Sequence, residues 1–136
     1  MLKTCSPLRL FVATMLTAIT AGCGPIHGYS VDEWWRRVIE VDIEEFTDIK
    51  HFTLQGIDYS HHFRFSFTAR NDLDTIIRQH GLTADPNPAK FLSDSLPRWF
   101  EPPANASAYS NGDSDPSIVI WIDDDNRVAY FELVKI

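Results

Sequence analysis

Cysteine is scarce in this chain of 136 residues: there are two, Cys5 and Cys23, and none from residue 24 onward. A domain built from the remainder has no disulfide to brace it and must hold together by packing. Glycine is sparse as well, six residues so scattered that no loop for cradling phosphate is present. Basic residues are outnumbered, twelve against nineteen acids for a net charge of −7, which argues against nucleic acid and against an electrostatic grip on anionic lipid. Neither a G-x-S-x-G elbow nor a D-x-D-x-D-G calcium loop occurs, and no histidine pair has the spacing of a zinc motif. The one apolar stretch near the start, residues 10–19, falls short of the roughly 20 residues that span a bilayer. These absences lead us to expect a domain that is not an enzyme and carries no cofactor or metal.

What is present near the start is organised. Lys3 and Arg9 supply positive charge, no acid precedes Asp32, and small residues follow the apolar stretch to give Thr20-Ala21-Gly22-Cys23. Residues 1–23 resemble a bacterial lipoprotein signal, departing from the pattern only at Thr20, where Leu is commoner. The resemblance implies cleavage before Cys23 and lipidation of its thiol, with two or more acyl chains giving stable anchoring. It also implies the outer membrane, facing the periplasm, because Gly24 rather than Asp follows the cysteine. Loss of residues 1–22 removes two basic residues and no acid, taking the net charge from −7 to −9. The expected organisation is a signal over 1–22, a lipidated cysteine and tether over 23–29, and one domain over 30–136.

Local signals then divide the domain. Ser30 and Glu33 form a capping box ahead of a helix over 31–39, whose inner side is Trp34, Trp35, Val38 and Ile39. The paired tryptophans pack on the domain or lie at the lipid interface. From 48 the period becomes two, predicting strands over 48–55 and 58–69 joined around Gly56. In the second strand Tyr59, His61, Phe63, Phe65 and Phe67 share one face, and Ser60, His62, Arg64 and Ser66 the other. The three phenylalanines are expected at the centre of the core. Asn71 is a candidate cap for a second helix that buries Leu73, Ile76 and Ile77 and ends at Gly81-Leu82 in a Schellman motif.

Residues 83–117 hold six of the eight prolines. We expect a short helix from Asn87-Pro88 through Phe91, Leu92 and Leu96, then a packed Trp99-Phe100 segment, then a mobile stretch over 104–115. The end reads as a hairpin, 117–122 and 127–136, around the acidic turn 123–126, with its first strand apolar at successive positions and so covered on both faces. The fold class is α+β, an antiparallel sheet of about four strands with one or two helices on one face.

Several side chains are candidates for chemistry. His61 and His62 point to opposite faces of a strand and cannot chelate one ion together. His62 is read as a surface residue that pairs with His51 only if the hairpin register allows. The turn Asp123-Asp124-Asp125-Asn126 offers oxygens to calcium, but Asp and Asn also suit a turn for its geometry alone. The segment 96–103 is rich in proline and aromatics; Trp99 is read first as a lid buried over the sheet, and otherwise, with the sheet face beside it, as part of a candidate binding surface of Trp99, Phe100, His62 and Arg64. Residues 40–136 resemble, loosely, small secreted bacterial domains in the Gly56-Ile57-Asp58-Tyr59 turn, the helix ending at Gly81, the Trp99-Phe100 stretch and the last hairpin. That resemblance implies no activity. The expectation is a lipoprotein with a protein or envelope partner, the alternatives being an immunity protein against a basic toxin or a sensor for a small ligand or metal.

Overall fold

The computed structural model describes residues 28–56, 58–89 and 94–136; the signal segment, Cys23 and residues 90–93 lie outside them. Two helices and six strands are found among the described residues: α1 (Val31–Val38), β1 (Phe46–Gln55), β2 (Tyr59–Phe67), α2 (Arg70–Gln79), β3 (Thr83–Ala84), β4 (Ser107–Ser110), β5 (Ser117–Asp123) and β6 (Val128–Lys135). Neither helix is long and apolar enough to cross a membrane. The strands form one antiparallel sheet in the order β1-β2-β6-β5-β4-β3. The α+β class with an antiparallel sheet therefore holds, but the sheet has six strands rather than about four.

α1 forms where its cap dictates. Ser30 Oγ accepts the Glu33 N–H at 3.2 Å while Glu33 Oε2 accepts the Ser30 N–H at 2.8 Å, satisfying two orphan donors at once. Trp35, Val38 and Ile39 are buried on the sheet, and the Trp35 indole N–H donates to the Val41 carbonyl at 2.7 Å. α2 begins at Arg70, two residues earlier than an Asn71 cap would place it. The Asp72 carboxylate reaches back to the Ala69 N–H at 3.3 Å and caps the helix instead. Its end is a Schellman motif: Gly81 has φ +62 and the Leu82 N–H donates to the Ile77 carbonyl at 2.9 Å.

Both helices cover the same sheet face. Phe63, Phe65 and Phe67 of β2 join Ile118, Ile120, Ile122 and Phe131 there, beneath Trp35, Ile39, Leu73 and Ile76. Trp35, Phe46 and Phe65 form a triangle of rings: Trp35 meets Phe65 edge to face with centroids 4.8 Å apart, and Phe46 stands 5.2 Å from Phe65 and 5.1 Å from Trp35. β1 starts at Phe46, two residues before the expected strand, and carries a bulge between Thr47 and Lys50 where Asp48 takes φ +51.

The opposite sheet face is covered too, by the chain running through Leu96, Trp99 and Phe100. These pack on Val119, Trp121, Val128 and Tyr130. That accounts for the burial of β5 and β6 at nearly every position. Among residues 85–89 and 94–96 there is no helix, so the expected short helix is absent from the described part of that segment. The stretch expected to be mobile contains β4 instead. Asp85 fixes it, accepting from the Ser110 hydroxyl at 2.6 Å while its own N–H donates to the Ala108 carbonyl at 2.9 Å. Asn111 closes the following loop, its amide donating to the Pro116 carbonyl and accepting the Ile118 N–H, each at 2.9 Å.

Candidate functional site

The sheet face bearing His62 and Arg64 meets the 96–100 segment, so the four residues of the predicted surface lie in one region. They divide by depth. Phe100 is 7 % exposed and stands edge to face on His62 at 4.9 Å and on Tyr130 at 5.7 Å. Trp99 is half-buried against Phe100. Arg64 reaches outward to Asp48 at 3.7 Å, with its guanidinium 5.9 Å from the Tyr130 ring centre. His62 is not at the surface, as its alternation with exposed-looking neighbours suggested, but fully buried, because the 96–100 segment roofs that face.

His62 lies in a polar row. Its Nε2 is 3.0 Å from Ser60 Oγ and its Nδ1 is 3.7 Å from Glu132 Oε2, a carboxylate on the residue paired with it across β2 and β6. Serine, histidine and carboxylate in this order form the arrangement that activates a nucleophile. Ser60 is 1 % exposed and His62 lies beneath Phe100, so the row is closed over from solvent.

On the helix side the hairpin register pairs His51 with Phe63 and Thr53 with His61. His51 therefore shares a face with His61 and not with His62, and the cross-hairpin contact is His51 Nε2 to His61 Nδ1 at 3.1 Å. Trp34 lies against both rings, at 5.4 and 4.6 Å. Burial pushes the pKa of all three histidines down to about 4; neighbouring imidazoles add to this for His51 and His62. They are uncharged at neutral pH.

Beside His61 the helix layer ends and the sheet continues, which opens a cleft of about 640 Å³. Its inner wall is Trp34 and Val38 of α1 with His61, Ile118 and Leu133 of the sheet; Arg37, Glu40, Gln55, Tyr59 and His80 stand around it. Tyr59 is 40 % exposed. His80 is fixed, its Nε2 donating to the Ile39 carbonyl at 2.7 Å. The Arg37 guanidinium stacks 4.0 Å over Tyr29, and Tyr29 meets Trp34 edge to face at 5.0 Å. Periodicity puts Tyr59 and His61 on one face of β2 with the phenylalanines, without bringing them beside α1. The available signal was that β2's inner face turns from phenylalanine to His61 and Tyr59 at one end.

Among the described residues no three His, Cys, Asp or Glu side chains converge as a metal site would require. The acidic turn is occupied with its own closure: Asp123 accepts the Asn126 N–H at 3.2 Å and its side-chain amide at 2.8 Å. No protein-family model, curated protein or solved structure matches the chain.

Proposed function

We propose that this is a lipid-anchored envelope protein, acylated on Cys23 at the periplasmic face of the outer membrane, whose domain acts by binding rather than by catalysis. The observation that carries the reading is Thr20-Ala21-Gly22-Cys23 directly after the basic and apolar leader. Residues 24–30 reach at most about 25 Å when extended, at 3.3–3.6 Å per residue. Because α1 begins at Val31, the domain stays close to the bilayer and meets partners found there. Burial of Ser60 and His62 supports binding over hydrolysis, since a nucleophile must reach its substrate. Trp99 and Arg64, at the accessible edge of the second sheet face, remain the candidate protein-docking residues.

Metabolic labelling with a fatty-acid probe is expected to tag the wild type and not Cys23→Ala; equal labelling of the two overturns the anchor. Crosslinking from intact envelopes then identifies the partner class. The net charge of −9 left after cleavage favours one alternative, immunity against a basic toxin, and that reading requires the crosslinked partner to be a basic protein.

A further inference from the structure

The cleft beside His61 is a consequence of unequal lengths. α1 has eight residues and stops at Val38, whereas β2 runs on to Tyr59. The sheet floor at Ile118 and Leu133 is therefore roofed on one side only, and Tyr59 and Trp34 keep aromatic surface that the core does not use. A volume of about 640 Å³ lies within the range of small-molecule sites.

The chemistry around this space is specific in kind. Arg37, Glu40, Gln55 and His80 bear a guanidinium, a carboxylate, a carboxamide and an imidazole, all planar groups with hydrogen-bonding atoms in their plane. Such groups meet adjacent hydroxyls two at a time, and the aromatic walls suit the C–H faces of a ring. Charge narrows the choice. Arg37 and Glu40 oppose each other, and neither makes an ion pair among the described residues. His61 is uncharged at neutral pH. An anion would find one cation offset by a carboxylate on a domain that is acidic overall, and a cation would face Arg37.

The walls are also held in advance. Arg37 on Tyr29, Tyr29 on Trp34 and Trp34 on His61 form a continuous series of ring contacts at 4.0, 5.0 and 4.6 Å. Stacking engages the face of the guanidinium and leaves its N–H edges available. Less ordering is then required when a ligand arrives.

We propose that this cleft binds a neutral saccharide, with Tyr59 and Trp34 against the ring and Arg37, Glu40 and Gln55 on its hydroxyls. The inference rests on reading the domain as a binding module, and it assigns that module a ligand class. The sugar comes either as a diffusing oligosaccharide or as the end of an envelope polymer.

The full chain in detergent micelles, titrated with chitotriose and with maltotriose and followed by tryptophan fluorescence and amide chemical shifts, tests the assignment. Saturable binding of at least one is expected, with shifts at Trp34, Gln55 and Tyr59. Tyr59→Ala is expected to weaken binding about tenfold, the scale of one aromatic anchor, at an unchanged melting midpoint. Arg37→Gln is expected to weaken it as well. Cosedimentation with purified cell-wall sacculi separates the two sources: binding to both sacculi and soluble sugar indicates a polymer end, and binding to soluble sugar alone a diffusing ligand. Three results overturn the proposal: no saturable change with either sugar, equal affinity in Tyr59→Ala, or tighter binding of an acidic oligosaccharide than of its neutral counterpart. Fatty-acid labelling separates the two readings, since a labelled protein that ignores both sugars refutes the cleft assignment alone, and a sugar-binding protein without label refutes the anchor alone.

Discussion

Three histidines kept uncharged by burial couple this domain to pH. His51, His61 and His62 are lowered from the ordinary 6.5 to about 4. The contact between His51 Nε2 and His61 Nδ1 fits that state, because an N–H to N hydrogen bond needs one bare nitrogen and two imidazoliums would set N–H against N–H. In the unfolded chain the same groups take up protons as pH falls through 6.5, while the folded chain resists until about 4. The unfolded state then binds more protons, so stability rises with pH across that window and is full above it. Melting midpoints are expected to be level above about pH 7 and to fall steadily towards about pH 4.5, before most carboxylates titrate. A flat profile over that range refutes neutral burial. Phe65 tests packing at the same scale. It is fully buried against both Trp35 and Phe46, and Phe65→Ala is expected to cost about 3–5 kcal/mol in chemical denaturation. An unchanged midpoint would mean that this face of β2 is not the core face.

Elements that carry their own signals within a few residues were legible in the sequence. α1 shows its capping box, α2 its Gly81 ending, and β2 and the final hairpin their alternation and apolar runs. β3 and β4 were not legible, and the reason is physical. Two and four residues are too short to display a period, and β4 exists because Tyr109 pairs with Ile120 and Asp85 fastens Ser110. The bulge at Asp48 is likewise a product of pairing, which no propensity announces. Substitutions at two positions measure the local signals. Ser30→Ala removes one of the two reciprocal cap bonds and is expected to cost about 1 kcal/mol. At Gly81 a Cβ would meet nothing within 4 Å, so Gly81→Ala is expected to cost only the left-handed backbone strain, about 1–2 kcal/mol. Gly81→Asn should cost less, since Asn tolerates that conformation. Equal losses for alanine and asparagine would show that the helix ending is not what Gly81 supplies.

At the scale of the molecule the sheet lies between two unlike layers, helices on one face and an irregular strap on the other. The alternation of β2 assigned its residues to two faces correctly. It gave no sign that the second face is roofed, because the roof comes from Leu96, Trp99 and Phe100, some thirty residues further along. The cleft was hidden for a similar reason: its walls come from α1, the β1–β2 turn, the end of α2 and the edges of β5 and β6, and it opens only because α1 is short. Phe100 tests the layered arrangement as a whole. Its ring lies on His62, Trp121 and Tyr130 at 4.9, 6.3 and 5.7 Å, so Phe100→Ala opens the strap above the polar row. The loss of packing is expected to be about 3–5 kcal/mol. Water reaching His62 then relieves the desolvation that lowers its pKa, and the ring is expected to titrate nearer 6.5 than 4. With one fewer histidine held neutral, the fall in stability between those two values becomes shallower. NMR titration of the His62 ring in Phe100→Ala reads this directly. A midpoint still near 4 would show that the strap stabilises the sheet without being what keeps His62 dry.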